Sequence, residues 1–190
     1  MLMNKTLLVA LILFIASCRN IPSPQQGEQL TDTTDHTEAD QDTFKKIEAL
    51  PPTSSINTGD TEATELVEYA KTLIGTPYQY GSINPEQGFD CSGFITYVFN
   101  HFQIAVPRSS IDFTNVGTEI PVTESKPGDL ILFTGTDSTK RDVGHMGIIV
   151  ENSDSTTFIH STSGRARGVT ITPLDKGYQD RFVKTIRVFQ

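Results

Sequence analysis

The chain has 190 residues, 36 % of them hydrophobic, and a formal net charge of -8. That suits one medium-sized domain with tails rather than two domains. No basic stripe interleaves with aromatic residues, so nucleic acid is not an expected partner. The two cysteines, Cys18 and Cys91, stand in stretches of very different character.

The first stretch carries one positive charge at Lys5 and an apolar run from Leu7 to Ala16, whose end leads to Cys18 as Ile15-Ala16-Ser17-Cys18. The run is too short to span a bilayer and has the layout of a secretory signal with small residues at the cut. Its ending looks like the lipobox of a bacterial lipoprotein. That resemblance implies cleavage after residue 17 and lipidation of Cys18, with an exported protein anchored to the membrane of the cell envelope. Two or three acyl chains suffice for stable anchoring. Residues 18–60 hold eight acidic against three basic residues and few large apolar ones. Such a segment cannot bury enough surface to offset its ordering entropy and is expected to be a disordered acidic tether, with His36 solvated in it.

Residues 61–190 read as the folded domain. Asp60 or Thr61 can cap a first helix with a buried stripe of Leu66, Tyr69, Ala70, Leu73 and Ile74, stopped by Gly75. Thr76 to Gly81 reads as a loop, because Pro77 keeps the residue before it out of helix. Asp90 is a good cap for a second helix whose apolar face is Phe94, Ile95, Val98, Phe99 and Phe102. Cys91 then sits in the first turn, where the helix dipole favours a thiolate, the nucleophilic form. A buried structural cysteine is the competing reading. With Cys18 acylated, Cys91 has no disulfide partner in an oxidising compartment, and a reactive thiol explains that. His101, near the end of the helix, is expected at the surface.

Pro107-Arg108-Ser109 leads into a short helix capped by Ser109 or Ser110 and closed by Gly117. Arg108 is read first as a structural charge. The pattern then changes period. Leu130 to Phe133, Val143 to Val150, Thr157 to Ser161, Val169 to Thr172 and Val183 to Phe189 are expected strands, separated by turns. Helices first and an antiparallel sheet second make an α+β domain. If the hairpin after Val150 centres on Asn152-Ser153, His145 lies directly opposite His160 on one face. A slip of one residue would put them on opposite faces. In that register one imidazole can fix the tautomer of the other.

A cysteine at a helix N-terminus, followed by two strand histidines that can touch, is what a thiol acyl-transfer enzyme needs: nucleophile, base and orienter. At this point the sequence resembles the NlpC-type, papain-like cell-wall peptidases, over about Leu66 to Phe189. The resemblance rests on Gly75-Thr76-Pro77-Tyr78-Gln79-Tyr80-Gly81, Phe89-Asp90-Cys91-Ser92-Gly93-Phe94, Pro107-Arg108-Ser109, Pro127-Gly128-Asp129-Leu130, Gly144-His145-Met146-Gly147-Ile148 and Phe158-Ile159-His160. It implies Cys91 as nucleophile, His145 as base and His160 as the third, polar residue. Tyr78 would help the oxyanion site, and Asp90 and Ser92 would hold the amino end of a stem peptide. Tyr80 stands where the family often has Trp, and Ser82 where it has Gly. No bacterial SH3-type wall-binding domain is visible.

The implied activity is hydrolysis of peptidoglycan stem peptides between D-glutamate, through its γ-carboxyl, and the diamino acid, without a cofactor and as a monomer. Three other readings compete with it. A wall-binding lipoprotein on a dead peptidase fold has little reason to keep the Cys and His set. A zinc site lacks a fourth ligand. Amidase or transpeptidase chemistry could use the same acyl-enzyme. Because stem peptides carry carboxylates, Arg165 or Arg167, in the turn after His160, is expected to line the groove, against the competing reading of a solvated hairpin tip.

Overall fold

The computed structural model describes residues 55–137 and 139–190. The signal run, Cys18 and the tether as far as residue 54 lie outside the described residues. The packed chain begins before residue 61, since Ile56 is buried in the main core.

Helix α1 (Ala63–Thr72) buries Leu66, Val67 and Ala70. Its N-cap is Glu62, with no side-chain cap bond, rather than Asp60 or Thr61. The expected stripe runs one residue too far. The helix caps at Leu73, and Ile74 is 51 % exposed. Helix α2 (Cys91–His101) is capped by Asp90, whose side chain accepts from Gly93 N–H. Phe94, Ile95, Val98 and Phe99 are fully buried, each contributing about 1.5–3 kcal/mol from removal of apolar surface from water. His101 is exposed, as expected, and its ring lies parallel to that of Tyr69 at 3.7 Å. The short helix after Ser109 is a 3-10 turn over Ser110–Asn115.

Two strands, β1 (Ile83–Asn84) and β2 (Gly88–Phe89), form a small antiparallel ribbon just ahead of α2. The main sheet has six antiparallel strands: β3 (Thr118–Ile120), β4 (Leu130–Thr134), β5 (Val143–Asn152), β6 (Thr156–Thr162), β7 (Gly168–Pro173) and β8 (Phe182–Arg187). Their order across the sheet is β3-β8-β4-β5-β6-β7. Helices first and antiparallel sheet second is the expected α+β order. β1, β2 and β3 are too short to have left a period in the sequence. The segment read as a turn before the last strand contains a further helix, α3 (Lys176–Gln179), capped by Asp175.

Alternation along the strands divides the sheet's two faces. Leu130, Leu132, Met146, Ile148 and Ile159 join the helices in the main core, while Ile131, Phe133, Ile149 and Phe158 pack on the other face with Leu174, Tyr178 and Phe182. Asp129 is structural: buried, it takes Arg187 through Nε at 3.0 Å and Nη2 at 2.7 Å, and accepts from Lys126 N–H.

The β5–β6 register differs from the expected one. The hairpin turns over Ser153 to Ser155, pairing Asn152 with Thr156, and a bulge between Ile149 and Glu151 then gives Ile148 opposite Ile159. His160 is thus two residues along the ladder from His145. The offset is even, so both histidines stay on one face. The bulge is what makes it even, because the turn alone would leave an odd offset.

Candidate active site

Cys91 is held by backbone contacts made before the helix starts. Gly88 adopts φ +114, and a Cβ there would meet Pro77 O at 2.3 Å, so only glycine fits. Phe89 N–H donates to Pro77 O at 2.9 Å, Gln79 N–H donates to Phe89 O at 3.0 Å, and Tyr78 bridges to Phe89. From the sheet, the buried Ser161 hydroxyl donates to Phe89 O at 2.7 Å. The segments carrying Tyr78, Cys91 and His160 are therefore tied together through Phe89. Ser161 was not singled out in the sequence, because a serine in a strand carries no periodic signal.

Beside it, β5 has a bulge at Gly144, where the pairing of Phe133 with His145 jumps to Thr134 with Val143. Bulges re-aim neighbouring groups. Here Gly144 O lies 3.9 Å from Cys91 Sγ. A Cβ on Gly144 would come within 2.8 Å of the Gly135 backbone, so the close approach requires glycine.

His145 Nε2 lies 2.8 Å from His160 Nδ1, and His160 Nε2 lies 3.0 Å from the Thr172 hydroxyl. His160 is fully buried and His145 nearly so. Tyr178, from α3, roofs the pair: its ring lies nearly parallel to His145 at 6.2 Å and edge-on to His160 at 5.5 Å. The hydrogen-bonded row has a consistent tautomer. When His160 Nε2–H donates to Thr172, its Nδ1 accepts from His145 Nε2–H. That leaves Nδ1 of His145 unprotonated, available as a base.

Electrostatics keep these groups uncharged at rest. Burial, then His160, then Arg181 push His145 well below the ordinary histidine value. Burial and then Arg181 push His160 down to about 4. Burial, then the Asp90 carboxylate, raise the Cys91 thiol, against lowering by backbone N–H groups at the helix start and by Arg108. The helix N-terminus therefore does not by itself deliver a thiolate, contrary to the sequence expectation. Desolvation outweighs it, and the thiol needs a base.

Cys91, His145 and Tyr78 share a cleft of about 330 Å³, closed by Tyr178, Arg181 and the Ser163-Gly164 turn. The Tyr78 phenol is raised by burial and then by Cys91 and Asp90, so it stays protonated. It makes no hydrogen bond among the described residues and is free to donate. Asp90 and Ser92 lie beneath the surface instead. Arg108 clamps both Asp90 oxygens at 3.1 and 2.8 Å and donates to Ser92 Oγ at 2.9 Å, while Gly81 N–H also donates to Asp90. This network braces the start of α2, in keeping with the structural reading of Arg108.

Arg165 and Arg167 do not line the cleft; both are exposed. Arg167 sits at φ 50, and its carbonyl accepts from Tyr78 N–H, so the turn contributes backbone, not guanidinium. The guanidinium in the cleft belongs to Arg181. It follows α3, a helix with no legible sequence period. Among the described residues no group of three or more His, Cys, Asp or Glu side chains could hold a metal ion.

Comparison with known proteins bears on the family. The NlpC/P60 family matches residues 75–188. The protein named probable endopeptidase NlpC of Escherichia coli K12 is 32 % identical over 142 residues, covering 74 % of this chain and 87 % of its own. Gamma-DL-glutamyl hydrolase of Bacillus subtilis is 36 % identical over 123 residues, covering 65 % of this chain. This chain spans only 29 % of that relative's length. The crystal structure of an NlpC/P60 family protein from Bacillus cereus superposes with TM-score 0.59 at 30 % identity, over 70 % of this chain and 42 % of that one. On the matched region, which contains Cys91, both histidines and the whole sheet, the chain belongs to the NlpC/P60 family.

Proposed function

We propose that the protein is a cysteine endopeptidase that hydrolyses peptidoglycan stem peptides at the bond between the γ-carboxyl of D-glutamate and the diamino acid. The observation that carries this reading is the 2.8 Å contact from His145 Nε2 to His160 Nδ1, made while His145 shares a cleft with Cys91. Nδ1 of His145 takes the Cys91 proton as Sγ attacks the scissile carbonyl carbon. The new S–C bond leaves an oxyanion, to which the Tyr78 hydroxyl donates. The imidazolium, steadied by His160, returns its proton to the departing amine as the C–N bond breaks. Water, activated by the same imidazole, then hydrolyses the thioester. Starting from a neutral thiol and a neutral imidazole, the proton moves during the attack rather than before it. The names of the relatives, an endopeptidase and a gamma-DL-glutamyl hydrolase, support the substrate class.

The same proposal places the protein at the cell envelope, lipidated on Cys18, on the strength of the apolar run and the Ile15-Ala16-Ser17-Cys18 ending. The test of the activity is mass spectrometry of defined stem peptides incubated with the purified full chain. New fragments ending in γ-D-glutamate and beginning with the diamino acid are expected. Intact peptides after prolonged incubation would refute the reading.

A further inference from the structure

Three arginines of this domain lie partly shielded beside buried groups, and two are neutralised. Arg108 is paired with Asp90 and Arg187 with Asp129. Arg181 is not. Its Nε and Nη2 both donate to Thr134 O, at 3.2 and 2.7 Å, and its guanidinium carbon lies 5.7 Å from the centre of the Tyr178 ring. These contacts fix the side chain without discharging it. Among the described residues Nη1 has no hydrogen-bond partner, and no carboxylate lies within 4.0 Å. The nearest acids in sequence are engaged elsewhere: Asp180 pairs with Lys176, and Asp175 caps α3.

This uncompensated cation faces the cleft that holds Cys91 and His145, and among the described residues it is the only formally charged side chain lining it. Among the described residues no Asp or Glu lines that cleft, although the chain as a whole is acidic at -8. A guanidinium anchored on one edge, with donors left over and no counter-ion, suits a carboxylate that arrives with a ligand. Partial shielding from water makes such a contact worth more than it would be at an open surface.

We propose that Arg181 is the carboxylate-binding residue of the cleft, holding a free carboxylate that the substrate carries within one residue of the scissile amide. This rests on the peptidase reading above and adds a selectivity to it. Two carboxylates have the right chemistry: the α-carboxylate of the γ-linked glutamate on the acyl side, and a carboxylate of the diamino acid on the leaving side. Amidation of the one that Arg181 holds would remove the charge and most of the binding.

The experiment is steady-state kinetics of the full chain and of Arg181→Gln and Arg181→Lys on three peptides. One has both carboxylates free, one is amidated on glutamate, and one is amidated on the diamino acid. A charge-assisted hydrogen bond of this kind corresponds to about 10–100-fold in kcat/KM. The parent should therefore discriminate by that factor against one amide, which identifies the carboxylate. Arg181→Gln should lose about the same factor on the free peptide, mostly in KM, and almost nothing on that amide, while Arg181→Lys recovers part. A loss equal on all three peptides would mean that Arg181 only braces Thr134, and would overturn the proposal. Should Arg181→Gln fail to fold, the parent series still decides, because equal kcat/KM on all three peptides overturns it. A parent that cleaves all three without preference refutes the carboxylate site alone, whereas one that cleaves none refutes the peptidase reading as well.

Discussion

His160 reaches His145 across the ladder from a diagonal position, and the residue that leaves room for it is Gly147. The pairing of Ile148 with Ile159, continued one step, sets Gly147 across from His160. A Cβ on Gly147 would meet Phe158 Cδ2 at 2.7 Å, Ile159 O at 2.9 Å and His160 Cβ at 3.2 Å. Gly147→Ala should therefore push His160 away from His145. The cost in stability is about 1–3 kcal/mol, as for other overpacked sites, with a fall in kcat larger than any change in KM. Urea unfolding and steady-state kinetics on one stem peptide check both parts.

The row His145, His160, Thr172 makes an ordered set of expectations. His160→Ala leaves His145 Nε2 without a partner, and losing the orienter of a base costs on the order of 10²–10⁴ in kcat, with KM little changed. His160→Asn or His160→Gln should restore part of the rate by supplying a carbonyl acceptor. Thr172→Val removes the acceptor beyond His160 and releases the tautomer, for a loss of about five-fold, the worth of one neutral hydrogen bond. Equal rates for Thr172→Val and the parent would exclude the hydroxyl from the row.

How much of this was legible in the sequence follows from what leaves a period. α2 repeats apolar residues at 3.6, the five longer strands stand out as apolar or alternating runs bounded by turn residues, and all were expected within a residue or two. β1, β2, β3 and α3 have four residues or fewer and no repeat to read. That is why Tyr178 and Arg181, on and just after α3, were missed while Arg165 or Arg167 was expected in their place. Cys91, His145 and His160 stood out by residue type and order, and the cleft brings Cys91 and His145 together. The register between the histidines was off by two because the hairpin turns over Ser153 to Ser155 instead of centring on Asn152-Ser153, a shift of three along the ladder that the bulge shortens by one. The Cys91 thiol was expected to be lowered from the helix end alone, whereas its burial depends on tertiary packing.

Acid should weaken the fold through the two histidines. Their native pKa values lie below the ordinary histidine value of 6.5, that of His160 at about 4. Above 6.5 both the folded and unfolded forms are neutral. As pH falls from 6.5 towards 4 the unfolded chain binds protons that the native state does not, so stability is lost across that window. Urea midpoints measured from pH 7.5 to 4.5 should drop for the parent and drop less for His160→Gln. The acid limb of kcat/KM should lie below pH 6.5, because the base stays neutral to lower pH. An acid limb above 7 would contradict a buried neutral His145.

If Cys18 carries the anchor, Cys18→Ala should move the protein from the membrane fraction to the soluble fraction. The N-terminal peptide of the parent should carry an added acyl mass that the variant lacks. An unmodified Cys18 in membrane-associated protein would point to a different means of attachment.

In the proposed mechanism Cys91 Sγ forms a covalent bond to the acyl half of a stem peptide, with His145 taking its proton. The most direct test of this step is intact-protein mass spectrometry after rapid acid quench with a γ-D-glutamyl–diamino acid peptide, on the parent, Cys91→Ala and His145→Ala. A transient adduct equal in mass to the acyl fragment, mapped to Cys91, is expected in the parent alone, with fragment formation reduced to background in both variants. Cleavage by Cys91→Ala at the parent's rate would rule out Cys91 as the nucleophile.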